Sequence, residues 1–403
     1  MFIDQFRRIK KSLQRRWVNY NVRRKLPRFL RQKKTYLARK EKNVIRRLYI
    51  TTGNIHLINS LAIIEQLKEI DDTPVENFVL VWSSVTNKEF DRQNETIARS
   101  FGIKHYYSCC GPQKADGLRV ACHLMDNELF RIDQIYSAQL AEHVELYNLL
   151  YQGLDHIITD EGFGTLIPSP KILASQCKKM ITTCYLDKLD YVEFPARPWR
   201  VEHIQKKHFD YIAAQCTKIY PWPGKTNKSK NTIIFCGSYS AAWRSFTADK
   251  LIARQNEVIE SLIARGYYIL YKPHPRATVL PCESEHLQII NTRLPMECYQ
   301  LEEVVAVVSL NSFASTQAYH YSGVPGFIDY TFSDECYSPI IGLLAKEYTP
   351  SLELILDIDA QNLSFDELKE TIRRIYVSYI KNKPALSQNH RIMRSFIEDM
   401  VQK

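Results

Sequence analysis

Short apolar stretches alternate with amphipathic ones along most of the chain. The first series predicts strands at residues 47–51, 78–82 and 156–159. Apolar positions at helical spacing predict helices from residue 54, over 86–101 and over 132–151. Because strands that alternate with helices form βαβ units, this half of the chain is expected to contain a mostly parallel sheet.

A second alternating series follows a segment crowded with Pro, Gly, Asn and Lys at residues 195–231, which predicts a linker. The second series predicts strands at 232–236, 267–271, 287–290, 304–308 and 326–328. It predicts helices at 248–265, 312–322, 364–382 and 387–402. We therefore expect an α/β chain of two Rossmann-like domains, over 47–225 and 226–403, that face a cleft. The last helices could pack back on the first domain.

The first 46 residues follow a different pattern, in which apolar residues recur at helical spacing and basic residues fill the other positions. The apolar positions are Phe2, Ile3, Phe6, Ile9, Leu13 and Trp17. Residues 1–47 contain 18 Lys and Arg against two acids, so the net charge of +10 is concentrated there. We expect residues 1–46 to form a basic amphipathic extension that contacts an anionic membrane surface through residues 1–30.

The alternative for this extension is a solvated basic arm that binds any polyanion, including nucleic acid. An apolar face that carries Phe6 and Trp17 serves a lipid interface and contributes nothing to phosphate contacts. The pattern therefore favours a membrane surface, and no nucleic-acid partner is expected.

Composition narrows the class of protein further. Of the 403 residues, 45% are hydrophobic and 24% charged, which excludes a disordered or collagen-like chain. The start of the chain lacks the apolar region of a secretory signal, so we expect a cytoplasmic protein. The ten cysteines show no CxxC spacing, which favours neither a zinc site nor a disulfide framework.

Polar residues follow three of the predicted strands, where ligands of open α/β sheets bind. The first group, Asp160-Glu161-Gly162, follows the strand at 156–159. A carboxylate here suits a general base, because partial burial would raise its pKa toward the operating pH. The alternative is a turn in which Asp160 caps local amides, and the segment alone does not decide between the two.

The second group follows the strand at 267–271 and contains Lys272, His274 and Arg276. Prolines on both sides hold His274 in an extended backbone, and the two cations lie close to it in sequence. Because neighbouring cations disfavour a charged histidine and an anion favours it, this segment suits a phosphate group.

The third group, Ser312 and Ser315, opens the helix that follows the strand at 304–308. Free amides at a helix N-terminus, together with small hydroxyls, form an anion site. The alternative is a plain N-cap by Ser312, and both can hold at once. Gly237 and Ser238 follow the strand at 232–236 and give a weaker signal of the same kind. The chain lacks the GxGxxG, GxxxxGK[ST], HExxH and GxSxG motifs.

The three groups together resemble the motif set of bacterial sialyltransferases, including capsule polysialyltransferases and lipooligosaccharide enzymes. The matching motifs are Asp160-Glu161-Gly162, His274-Pro275 and Ser312-Phe313. The basic amphipathic start is also similar to that of capsule polymerases. The family often has two consecutive serines where this chain has Ser312-Phe313, so a second hydroxyl would either come from Ser315 or be absent.

The resemblance implies a GT-B fold and an inverting transfer of sialic acid from CMP-sialic acid to a glycan acceptor, without metal or other cofactor. Glu161 would be the general base, with Asp160 as the other member of the acidic pair. His274 would contact the donor phosphate as a general acid or electrostatic stabiliser. The residues expected to bind the donor are Lys272, Arg276, Gly237, Ser238, Glu297, Ser312 and Ser315.

The expected function is therefore sialic acid transfer during synthesis of a bacterial capsule or lipooligosaccharide. The enzyme would lie on the cytoplasmic face of the inner membrane, with capsule-assembly proteins as potential partners. Two alternatives stay open. One is a GT-B glycosyltransferase that uses another nucleotide sugar, and the other is a nucleotide- or polyanion-binding protein without catalytic activity.

Overall fold

The computed structural model describes the ranges 2–38, 44–83, 88–109, 117–138, 141–159, 177–182, 200–224, 231–237, 248–274, 280–310, 312–331, 346 and 348–382. These residues form two compact units, and the chain passes from the first to the second between Phe209 and Asp210. Each unit is a parallel sheet flanked by helices, as the sequence predicted.

The first unit contains seven described strands in the order β3-β2-β1-β4-β5-β6-β7, all parallel. The strands are β1 Ile45–Thr51, β2 Val75–Val81, β3 His105–Ser108, β4 Gln134–Ala138, β5 Asp155–Thr159, β6 Cys177–Thr182 and β7 Arg200–His203. The helices are α1 Phe2–Ala38, α2 Asn54–Lys68, α3 Lys88–Ser100, α4 Gly117–Asp126, α5 Ala141–Leu150 and α6 Lys206–Ile219, which extends into the second unit.

The second unit contains five described strands in the order β10-β9-β8-β11-β12, again all parallel. The strands are β8 Asn231–Cys236, β9 Tyr267–Lys272, β10 Leu287–Ile289, β11 Ala306–Ser309 and β12 Gly326–Ile328. The helices are α7 Ala248–Ala264, α8 Phe313–Ser322, α9 Glu353–Leu356 and α10 Phe365–Lys381, with short 3₁₀ turns at Met296–Cys298 and Ala360–Asn362.

The central strands are apolar on both faces because helices cover both sides of each sheet. Leu48 and Ile50 of β1 point into the core of the first unit, and Ile233 and Phe235 of β8 into that of the second. The last described helix, α10, adds Leu368, Ile372 and Tyr376 to the second core. The predicted helix at 387–402 lies outside the described residues.

Helix α1 is partly integrated into the first unit. Val22 and Phe29 are buried in its core, and the Phe29 ring meets the rings of Phe130 and Tyr151 edge-on at 6.2 and 6.1 Å. The sequence predicted the helix, but did not predict that its second half packs on the domain. None of the described helices is long and apolar enough to span a membrane.

Two sequence predictions about elements were wrong. The helix predicted over 132–151 is strand β4 followed by helix α5, because a short segment without Gly or Pro fits either element. The predicted linker at 195–231 contains helix α6, and the units divide within that helix. The domain boundary expected between residues 225 and 226 stays a prediction.

Candidate functional site

Three neighbouring strands of the second unit end at the same level. Backbone pairing places Lys272 of β9 beside Cys236 of β8, and Cys236 beside Ser309 of β11. Adjacent strands lie about 4.8 Å apart, so these three strand ends form a row roughly 10 Å wide, which we call the strand-end row. The strand order reverses between β8 and β11, and ligands of open α/β sheets bind at such a reversal, beyond the carboxyl ends of the strands.

Gly237 begins the loop after β8, and its amide donates a hydrogen bond of 2.8 Å to the carbonyl of Lys272. A Cβ atom here would overlap the hydroxyl of Tyr271 and lie 2.8 Å from its ring carbon Cζ. The Tyr271 ring is buried, and its hydroxyl donates to Gln255 Oε1 at 2.9 Å. The close contact between the loop and β9 therefore requires glycine.

Glu297 lies near Lys272 although the two residues belong to different elements. It occupies the 3₁₀ turn Met296–Cys298, which packs against helix α8. Burial raises the pKa of Glu297, and the positive charge of Lys272 opposes that shift in part. Both groups also act on Cys236, whose pKa burial raises to about 12. A cation and a desolvated carboxyl group therefore lie at the end of the β8-β9 pair.

Ser312 is the N-cap of α8, and its hydroxyl accepts a hydrogen bond of 3.3 Å from the amide of Ala314. Hydrogen bonds with Ser309 and Ser315 hold the first residues of α8 in place. Their hydroxyls are 2.8 Å apart, Ser309 Oγ accepts from the Ser312 amide at 2.9 Å, and Ser315 Oγ lies 2.8 Å from the Ser312 carbonyl, to which it can donate. Both side chains are fully buried, so they shape the helix terminus from within.

Helix α8 lies unusually close to strand β12. A Cβ atom at Gly326 would overlap the backbone carbonyl of Ser315. A backbone carbonyl cannot rotate away as a side chain can. Glycine at position 326 therefore allows the short distance between the start of α8 and strand β12.

His274 lies two residues beyond Lys272 and is partly buried. The structure therefore brings Lys272, His274, Gly237, Glu297 and Ser312 to one edge of the second sheet. Four other predicted site residues lie outside the described residues: Asp160, Glu161, Ser238 and Arg276. Thr159, which precedes the acidic pair, ends β5 between β4 and β6 of the first sheet.

The carboxyl edge of the first sheet carries polar and aromatic groups that the sequence analysis did not select. Thr52 Oγ1 hydrogen-bonds to His56 Nδ1 at the start of α2. Trp82 follows β2 and stacks on the fully buried His143 of α5, with ring centroids 4.9 Å apart. His143 was missed because residues 134–138 were predicted as helix, which hid its position just after a strand.

No group of three or more His, Cys, Asp or Glu side chains within the described ranges could hold a metal ion. A DxD tripeptide, Asp357-Ile358-Asp359, follows helix α9. The Asp359 carboxylate caps the next 3₁₀ turn, accepting from the Gln361 amide at 3.2 Å and from Asn362 Nδ2 at 2.7 Å. This carboxylate therefore has a local structural role.

No family model matches the chain, and no curated protein matches it. Among solved structures, it is similar to a Listeria monocytogenes protein named as a UDP-N-acetylglucosamine 2-epimerase. That match has 13% identity and a TM-score of 0.51, and covers 87% of this chain and 90% of the other. Medicago truncatula UGT71G1 with UDP-glucose matches at 10% identity and a TM-score of 0.47, over 89% and 94% of the two chains. S. aureus MnaA with UDP matches at 12% and 0.47, over 84% and 99%.

The fold-level likeness to the Listeria monocytogenes protein agrees with the two parallel sheets described above. The chain has a GT-B fold built from two Rossmann-like domains, which confirms the fold class predicted from the sequence.

Proposed function

We propose that this protein is an inverting, metal-independent sialyltransferase that transfers sialic acid from CMP-sialic acid to a bacterial surface glycan. The acceptor would be a capsular polysaccharide, such as polysialic acid, or a lipooligosaccharide. The protein would work on the cytoplasmic face of the inner membrane, where capsule-assembly proteins are potential partners.

The observation that carries the proposal is the row of strand ends at Lys272, Cys236 and Ser309. This row coincides with the strand-order reversal of the second sheet, where a nucleotide is expected. Two of the motif segments behind the sialyltransferase resemblance, those around His274 and Ser312, lie directly beyond the row.

The chemistry of a CMP leaving group suits these residues. Departure of CMP develops one additional negative charge on its phosphate, which fixed positive groups and dipoles can stabilise. Lys272 supplies a cation, His274 supplies a proton or a hydrogen bond, and the N-terminus of α8 supplies a positive dipole end. Glu297, near Lys272, is suited to accept hydrogen bonds from ribose hydroxyls or the cytosine amino group.

The acceptor hydroxyl needs a base, for which we propose Glu161, with Asp160 as its alternative. The last described residue before this pair is Thr159, at the carboxyl end of β5 in the first domain. In this proposal, Gly237, Ser238 and Arg276 line the donor site, and Ser315 contributes by holding the Ser312 helix start.

Transfer from a UDP sugar is the alternative activity. It is favoured by the fold-level likeness to the Listeria monocytogenes protein, which is named for a reaction of UDP-N-acetylglucosamine. The motif resemblance favours CMP-sialic acid, and a direct comparison of donors decides between the two.

The test is a donor panel with the purified full chain. CMP-sialic acid, UDP-N-acetylglucosamine and UDP-glucose are each incubated with sialylated and galactose-terminated oligosaccharides, and released nucleotide and glycan product are both measured. We expect product from CMP-sialic acid alone. Glu161→Gln should lower turnover by about 10²–10⁴-fold while CMP still binds, because the amide cannot accept a proton.

Lys68→Met is the matched control, since Lys68 is exposed at the end of α2, away from the carboxyl edge of its sheet. Its turnover should equal that of the unaltered protein. Product from a UDP sugar but none from CMP-sialic acid would refute the donor assignment. Full activity of Glu161→Gln with loss in Asp160→Asn would move the base to the other acid.

A further inference from the structure

One side of helix α1 is held firmly against the first domain. Val22 and Phe29 are buried there, and Val18, Leu26 and Tyr36 pack beside them. The buried ammonium group of Lys33 donates to the carbonyls of Leu150 and Gln152 at 3.0 and 3.1 Å, at the end of α5. These contacts fix the rotation of the helix about its own axis.

The opposite side of α1 combines exposed aromatic rings with positive charge. The side chains of Trp17 and Tyr20 are 67% and 64% exposed. The exposed basic residues on the helix beyond them are Arg23, Arg24, Arg28, Arg31 and Lys34. Between Asp4 and Glu41 the sequence contains no acidic residue, so nothing on the helix neutralises this surface.

Helical spacing shows that the two sides are distinct. At about 3.6 residues per turn, Trp17, Tyr20, Arg24 and Arg31 form one stripe, half a turn from Val22 and Phe29.

We propose that this outer face of α1, defined by Trp17, Tyr20, Arg23, Arg24, Arg28, Arg31 and Lys34, docks the protein on an anionic lipid surface. The helix lies in the membrane plane, with the two aromatic rings at headgroup level and the basic side chains over lipid phosphates. Because its other side is fixed to the domain, the helix also sets the orientation of the first domain on the membrane. The inference is independent of the donor sugar.

An anionic lipid surface complements this face of α1 in both charge and polarity. Five cations without a compensating acid match an anionic bilayer, and each Lys or Arg near such a surface contributes about 1 kcal/mol. A nucleic acid duplex would satisfy the cations, but its bases are stacked on one another and would leave the exposed Trp17 and Tyr20 rings without a partner. The aromatic residues therefore decide in favour of lipid.

The test measures binding of the full chain to vesicles by co-sedimentation. One set of vesicles is pure phosphatidylcholine, and the other contains equal amounts of phosphatidylcholine and phosphatidylglycerol. We expect binding to the anionic vesicles that weakens as salt increases. The triple variant Arg24→Gln, Arg28→Gln, Arg31→Gln should bind them on the order of 100-fold more weakly, from three charges at about 1 kcal/mol each.

The matched control removes the same charge elsewhere, through Arg92→Gln, Lys104→Gln and Arg373→Gln, which are exposed in the structure. It should bind as the unaltered protein does. A fluorescence experiment tests the aromatic part: the blue shift of the protein on adding anionic vesicles should be smaller in Trp17→Phe, because Trp17 enters the interface.

Three results would overturn the proposal. One is equal binding by the α1 triple variant and the unaltered protein. Another is a loss in the control variant as large as that in the α1 variant, which would indicate attraction by net charge alone. The third is tighter binding to duplex DNA than to anionic vesicles at the same salt, which would assign the surface to nucleic acid.

Discussion

Gly237→Ala tests whether the proposed donor site depends on the close contact between Gly237 and β9. The new methyl group would overlap the Tyr271 hydroxyl and lie 2.8 Å from Cζ and 3.3 Å from the Lys272 carbonyl. The Tyr271 ring is buried and its hydroxyl is hydrogen-bonded to Gln255, so turning the ring away would break that hydrogen bond. We therefore expect the backbone at Gly237 to shift away from Tyr271.

Overpacking of this kind costs about 1–3 kcal/mol in stability. Tyr271→Phe removes the overlapping hydroxyl but leaves Cζ and the carbonyl, so it should relieve part of the cost. On its own, Tyr271→Phe leaves Gln255 Oε1 without its donor, which costs about 1–3 kcal/mol. The double variant should consequently be more stable than the sum of the two single losses predicts, by at least about 0.5 kcal/mol.

The assay is urea unfolding of all four proteins, with the affinity for CMP measured in parallel. Gly237→Ala should lower both stability and CMP affinity, and Tyr271→Phe should restore part of both. Strictly additive losses in stability would refute the steric argument. Unchanged CMP affinity in a folded Gly237→Ala protein would show that the loop does not contact the donor.

Three further predictions concern stability. Burial raises the pKa of Glu297, so ionising this carboxyl group lowers the stability of the folded state as the pH rises through that pKa. Glu297→Gln should therefore unfold at a higher urea concentration than the unaltered protein at neutral pH, and this gain in stability should disappear on acidification. The variant should also bind the donor more weakly. Gly326→Ala should destabilise the second domain by more than the usual 1–3 kcal/mol for overpacking, because its methyl group meets the backbone of Ser315, and circular dichroism with urea would measure this. Phe29→Ala should lower the free energy of unfolding by about 3 kcal/mol because Phe29 is buried, and Trp17→Ala by less than about 0.5 kcal/mol because Trp17 is exposed. Equal losses in the same assay would contradict the assignment of the two sides of α1.

The parallel sheets were predictable because most of their central strands are short, mainly apolar runs that alternate with amphipathic helical stretches, a pattern typical of βαβ units. The strands at Tyr49 and Phe235 are examples, each buried between helices. Strand β3, His105–Ser108, was missed because it is a polar edge strand, only partly buried. Strand β4, Gln134–Ala138, was mistaken for helix because a five-residue segment is too short for its periodicity to distinguish the two elements.

The packing side of α1 was not predictable, since it includes a buried lysine. Lys33 is tolerated there only because carbonyls at the end of α5 accept its hydrogen bonds, and that partnership exists only in three dimensions. The strand-end positions of Lys272 and Ser312 followed from the sequence pattern. The proximity of Glu297 to Lys272 depends on how a 3₁₀ turn packs against α8, which no local pattern specifies.

The central claim is that the strand-end row of the second domain binds CMP through Lys272. Equilibrium titration of the full chain with CMP and UDP tests it most directly, using Lys272→Met and the control Lys68→Met. We expect CMP to bind more tightly than UDP. Lys272→Met should lower CMP affinity by about 10–100-fold through loss of one charge-assisted hydrogen bond, and Lys68→Met should leave it unchanged. Equal CMP affinity in Lys272→Met and the unaltered protein, or tighter binding of UDP than CMP, would contradict it.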